Sequence, residues 1–89
     1  MIMVDELAFP DRRGRIFCHM TSDSDDKTEL HQFAIKIGLK RCWFHASRSA
    51  PHYDLTKLFR DRAIAQGAVF VRAVEQAVNR MRKRAEAKP

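Results

Sequence analysis

The chain has 89 residues, enough for one domain and not for two, and its 45% hydrophobic and 31% charged content fits a folded protein and excludes a disordered one. No apolar run reaches the roughly 18 residues that cross a bilayer, and no basic segment leads into a long apolar one as in a secretory signal. The reading is therefore cytoplasmic with no membrane partner, while the net charge of +6, from 17 basic and 11 acidic residues, favours acidic partners.

Residues 1–4 read as a strand that ends at Asp5. Pro10 and Gly14 bracket a polar turn, with Arg12, Arg13 and Arg15 around it. Residues 15–21 form a second strand. Alternation puts Ile16, Cys18 and Met20 on one face and Phe17, His19 and Thr21 on the other. A helix then opens at Asp26, spaced from Glu29 as in a capping box, with Ser24 as an alternative cap. Leu30, Phe33, Ala34 and Ile37 make one apolar stripe, Gly38 suits the left-handed position that ends a helix, and Leu39 is the apolar residue that follows.

Residues 40–45 predict a third strand, with Cys42 and Phe44 on one face and Arg41, Trp43 and His45 on the other. Residues 46–51 are a loop. Asp54 then reads as the N-cap of a second helix, with Tyr53 and Leu58 at the spacing of a hydrophobic staple. Leu55, Leu58, Phe59, Ala63 and Gln66 form one side of that helix and Gly67 stops it. Residues 68–71 are a fourth, apolar strand. The last helix, about residues 73–85, carries Val74, Ala77, Val78 and Met81 as its stripe. Cys18 and Cys42 both fall in apolar, strand-like runs and read as free, buried thiols.

Strand, helix, strand over residues 15–45 and again over 40–71 has the length of two consecutive βαβ units, each a crossover between parallel strands. The fold class is α/β: a small parallel sheet plus an N-terminal strand and a C-terminal helix, with α+β as the alternative. Residues 1–72 form the core domain. Residues 73–89 are a basic helix packed on it or extending from it; Arg72, Arg80, Arg82, Lys83, Arg84 and Lys88 crowd this end. That excess either marks a nucleic-acid or acidic-protein surface, with Arg80, Arg82 and Lys83 as its contacts, or is a solvated helix whose basic end suits the dipole.

Open parallel sheets bind ligands beyond the carboxyl ends of their strands. Those ends carry His19, Thr21 and Asp23, then His45, Ser47, Arg48, His52 and Asp54, then Arg72. His19, Asp23, His52 and Asp54 are the candidate catalytic residues. His52 and Asp54, two apart in an extended segment, face one side and are the candidate metal ligands, although a helix cap also accounts for Asp54. His19 and His45 read equally well as hydrogen-bonded structural residues, and His31 as a helix-flank residue. Arg62 falls on the apolar arc of the second helix, where it must snorkel or meet a carboxylate or phosphate, as a structural salt bridge or a ligand contact; Arg60 and Lys57 point the other way. No nucleophile elbow and no glycine-rich phosphate loop is present.

The series His19-Met20, Asp23-Ser24-Asp25, Glu29-Leu30-His31, Ile37-Gly38, Trp43, His52-Tyr53-Asp54, Arg60, Ala63 and Gly67-Ala68 resembles a family of small bacterial and phage proteins, domain of unknown function 4031. The resemblance covers residues 4–71 and leaves the basic last helix outside. Asp25 and Glu29 stand further apart here than that pattern leads one to expect. The resemblance implies no activity. It implies that His19, Asp23, His52, Tyr53, Asp54 and Arg60 are the positions the pattern keeps.

Two functions follow as expectations. In the first, the chain binds a phosphate-bearing ligand, a nucleotide or nucleic acid, as a metal-assisted hydrolase. His19, Asp23, His52 and Asp54 do the chemistry with a divalent metal, and Tyr53, Arg60, Arg62 and His45 hold the ligand. In the second, it is a non-catalytic accessory module that binds nucleic acid or protein through its basic helix.

Overall fold

A computed structural model describes residues 1–87; Lys88, counted above in the basic end, lies outside them. The elements are β1 (Ile2–Val4), β2 (Phe9–Pro10), β3 (Ile16–Ser22), α1 (Thr28–Lys36), a single 3-10 turn (Arg41–Trp43), β4 (Phe44–His45), β5 (His52–Leu55), α2 (Lys57–Ala65), β6 (Val69–Phe70) and α3 (Ala73–Ala87). The fold is mixed α/β, with one six-stranded sheet in the order β4-β5-β3-β1-β6 and β2 paired beside the start of β3.

The sheet is mostly antiparallel, which corrects the expectation of a parallel one. β3 pairs antiparallel with both β1 and β5, β4 pairs antiparallel with β5, and only β1 with β6 is parallel. The physical reason lies in residues 52–55. His-Tyr-Asp-Leu alternates polar and apolar, and Tyr53 and Leu55 are fully buried. The segment is therefore a strand, not the lead-in to a helix. Asp54 sits within β5, and α2 begins later, after Thr56. Tyr53 goes to the core and Leu58 stays exposed, so no staple forms.

With β5 inserted, the first expected crossover survives in split form, whereas the second does not: the strands at 44–45 and 69–70 run in opposite directions, and α2 links β6 to β5 instead. β4 runs in the same direction as β3 with β5 between them, and β6 runs with β5 across two intervening strands. The third strand is shorter than expected, because residues 41–43 make a turn before Phe44 and His45 pair with β5. Cys42 lies in that turn and is exposed, whereas Cys18 is buried.

One face of the sheet holds the core. Val4, Cys18, Met20, Tyr53 and Leu55 pack beneath Leu30 and Ala34 of α1 and Ala63 of α2. Burying each of the larger aliphatic side chains contributes about 1.5–3 kcal/mol. α1 ends as its sequence indicates: Gly38 takes φ +100°, and the N–H of buried Leu39 donates to the Ala34 carbonyl. Its start differs. Asp26 accepts the Thr28 N–H and hydroxyl, whereas Glu29 turns away to the N-terminal ammonium and Ser22.

α3 crosses the other face. Its first N–H, at Ala73, donates to Glu6 Oε1 (2.7 Å), buried Gln76 accepts the Thr21 hydroxyl (2.7 Å), and Lys83 donates to Asp25 (2.7 Å). The expected apolar stripe faces outward: Val74, Val78 and Met81 are exposed and Gln76 faces the sheet. Polar partners on the sheet, not apolar ones, set the rotation of this helix.

Candidate functional site

Strand alternation sorts the chemistry. Val4, Cys18, Met20, Tyr53 and Leu55 point to the core, so Asp5, His19, Asp54, His52 and His45 share the opposite face. Register then gathers them. His19 lies directly across from Asp54, and His45 directly across from His52. Asp5, one residue past β1, stays alongside β3 because its N–H donates to the His19 carbonyl. The site is thus a patch on one face of an antiparallel sheet, and the expected rim of parallel strand ends is not its origin.

Asp54 is at the centre. Its Oδ1 lies 3.4 Å from His52 Nε2 and 3.8 Å from His19 Nε2, and its Oδ2 lies 3.0 Å from His45 Nε2. One ring nitrogen each of His19 and His52 and a carboxylate oxygen of Asp54 all lie within 4.8 Å of one another. The His45 and His52 rings stack at 5.0 Å, the His19 and His52 rings meet edge to face at 4.9 Å, and Phe9 closes the far side of His19 at 4.3 Å.

The outer nitrogens of the two half-buried imidazoles are fixed. His52 Nδ1–H donates to the Ala50 carbonyl at 2.7 Å, and His19 Nδ1–H donates to Asp5 Oδ2 at 2.7 Å. A carbonyl can only accept, so the proton of neutral His52 is on Nδ1 and the Nε2 lone pair faces Asp54. Buried Asp5 does the same for His19 and also accepts its backbone N–H. That hydrogen bond raises the His19 pKa above the ordinary histidine value, against the opposing effects of burial and of the nearby Arg80 charge. Arg60 stands behind Asp5: its Nε donates to the Asp5 carbonyl (3.1 Å) and its guanidinium lies over Phe70.

The donor set suits a metal. Two imidazole nitrogens and a carboxylate oxygen are a known ligand combination for divalent transition ions. Ligating histidines characteristically donate their other N–H to a carboxylate or a carbonyl, and both do so here. In a tetrahedral site with bonds near 2.1 Å the ligand atoms stand about 3.4 Å apart, close to the two separations from Asp54 Oδ1, 3.4 and 3.8 Å.

Of the residues anticipated from sequence, His19, His52, Asp54 and His45 come together. Asp23 does not join them, because its carboxylate pairs with the N-terminal ammonium at 2.7 Å. That pairing holds it below the usual carboxylate range. Tyr53 lies in the core, on the other face of β5, with its hydroxyl against His31 Nδ1 at 2.8 Å; it makes no part of this patch. Arg62 snorkels: it is exposed, lies over Phe59 and donates to the Ile37 carbonyl, and it is not part of the patch. Arg60 reaches the patch only through the backbone of Asp5. Asp5 itself was missed. Its signal was a carboxylate one residue past an apolar strand, where it is buried and needs donors.

Next to the patch, the same sheet face continues into a cleft of about 580 Å³ under α3. Met3 and Thr21 from the sheet, Pro51 from the loop before β5, and Asn79, Arg80 and Arg84 from α3 are among the residues that line it. Of the nucleic-acid candidates, Arg80 and Lys83 line this cleft, while Arg82 borders a shallower hollow with Arg72. The three do not form one stripe.

The chain belongs to the family described as protein of unknown function (DUF4031), whose model matches residues 2–84. That match runs into α3, so the basic helix lies within the family pattern and not outside it, as the residue resemblance had it. Neither a curated protein nor a solved structure matches the chain.

Proposed function

We propose that this chain binds a divalent metal through His19, His52 and Asp54 and acts there on a phosphate-bearing ligand as a metal-assisted hydrolase. The observation that carries the reading is the pair of imidazoles with outer nitrogens tied to Asp5 and Ala50 and inner nitrogens turned toward one carboxylate. A divalent ion there supplies Lewis-acid polarisation of a phosphoryl oxygen and acidifies water.

The remaining roles belong to the chain's own residues. His45 Nε2 lies 3.0 Å from the outer oxygen of Asp54 and its ring is the most exposed of the three histidines in the patch, so it is placed to serve as the proton donor to a leaving oxygen. Asp5 keeps the His19 ring in register, and Arg60 holds the backbone that carries Asp5. Arg80, beside His19, offers positive charge to a phosphate.

The test is turnover of a panel of phosphomonoesters and phosphodiesters with manganese, zinc or magnesium added. The reading expects metal-dependent hydrolysis that falls about 100-fold or more in His45→Ala and is absent in Asp54→Asn. No turnover with any metal, in a protein that binds the metal, removes the hydrolase part.

A further inference from the structure

The cleft beyond Thr21 has a wall structure more specific than a phosphate needs. Two ion pairs form there, the N-terminal ammonium with Asp23 and Lys83 with Asp25, and the Lys27 ammonium donates to the carbonyls of Ser22 and Ser24. Among the described residues, no carboxylate or carbonyl engages Arg48, Arg80 or Arg84, yet all three line the cleft. The net charge left facing the cavity is therefore positive, and it is carried by guanidinium groups, which bind phosphate in two-pronged fashion.

The cavity also has an apolar part. Met3, Ala50 and Pro51 contribute apolar side chains to the same lining as the arginines. Asn79 adds a primary amide with both donor and acceptor, whereas Gln76 is already committed to Thr21 and the Val71 carbonyl. Inorganic phosphate or a sugar phosphate makes no use of an apolar wall. A flat heterocycle with polar edges uses both the wall and the amide. The volume, about 580 Å³, lies in the range of small-ligand sites.

We infer that this cleft takes a nucleotide unit, with its phosphate on Arg80 at the end nearest His19 and its base between Met3, Pro51 and Asn79. The inference rests on the proposed function only in pointing the phosphate toward the metal ligands. Arg48 and Arg84 hold a further phosphate, as in a nucleoside polyphosphate or the next link of a single strand.

Calorimetric titration of the full chain, with and without manganese, tests this with four probes: adenosine 5′-monophosphate, ribose 5-phosphate, inorganic phosphate and a short single-stranded DNA. The mononucleotide should bind at least about tenfold tighter than either base-free phosphate, and Arg80→Gln should weaken it about tenfold while leaving metal binding in place. Tighter binding of the DNA assigns the cleft to a strand, and equal binding to a free nucleotide; both uphold the inference. A mononucleotide bound no better than inorganic phosphate, or bound equally by Arg80→Gln, overturns it. Nucleotide binding with the stated arginine dependence but no metal uptake retains the cleft and removes the metal centre, so the two failures are distinct.

Discussion

Asp5 grips His19 at two points, its carboxylate accepting both the backbone N–H and the ring Nδ1–H of the histidine across the β1–β3 pairing. Asp5 is 2% exposed, so these donors replace water for a buried charge. The pair fixes which nitrogen of His19 faces Asp54.

Replacing Asp5 with Asn keeps the shape and lowers the basicity of His19. Metal affinity should drop about 10–100-fold with the fold retained, as for other outer partners of ligating histidines. Asp5→Ala should in addition cost about 1–3 kcal/mol in denaturant unfolding, because two donors are left without an acceptor. Equal metal affinity in wild type and Asp5→Asn would show that Asp5 serves the fold alone.

His31 gives a pH signature away from the site. Burial first, then the Arg41 charge, lowers its pKa, and its Nδ1 shares a hydrogen bond with the Tyr53 hydroxyl at 2.8 Å. Because the folded value lies below the ordinary one, the unfolded chain binds the proton first. Stability should be unaffected by His31 above the ordinary value of about 6.5 and fall as pH drops through it, levelling off below the depressed folded value. Melting temperatures of wild type and His31→Gln between pH 8 and pH 5 should therefore converge toward the acid end. Parallel curves would refute the assignment.

The two thiols should separate cleanly. Burial, with the charge of Asp5 as a second cause, pushes the Cys18 thiol up to about 12, whereas Cys42 is exposed. At pH 8 an aromatic disulfide reagent should modify one thiol per native chain, none in Cys42→Ser, and two in denaturant. Rapid loss of both thiols under native conditions is the contrary result.

Gln76 is the polar peg of α3. It accepts from Thr21 and donates to the Val71 carbonyl, so Gln76→Leu strands a buried hydroxyl and should cost about 1–3 kcal/mol. Amide exchange in α3 should quicken more than in α1. Unchanged exchange would mean that Glu6 and Lys83 suffice to hold the helix.

The helices and the second strand were legible because their patterns are long: a four-residue apolar stripe with a glycine stop for α1, and seven alternating residues for β3. β5 was not. Four residues carry too little periodicity, and Asp54 before a helix mimics a cap. That one misreading turned an antiparallel neighbour into the lead-in of a helix and made the sheet look parallel. His19, His45, His52 and Asp54 still meet, because cross-strand register collects residues of like parity on one face as surely as strand ends collect them at a rim. The orientation of α3 was hidden for a different reason. Its stripe is real in the sequence, but three polar ties to Glu6, Thr21 and Asp25 outrank it.

The whole construction rests on three side chains from two neighbouring strands acting as one ligand set. Titrating the full chain with cobalt(II) and following its visible absorption reads this directly. One ion per chain with an intense, low-symmetry spectrum, lost in His52→Ala and in Asp54→Asn, is the result expected. A chain that takes up no cobalt, or takes it up unchanged in both variants, would contradict it.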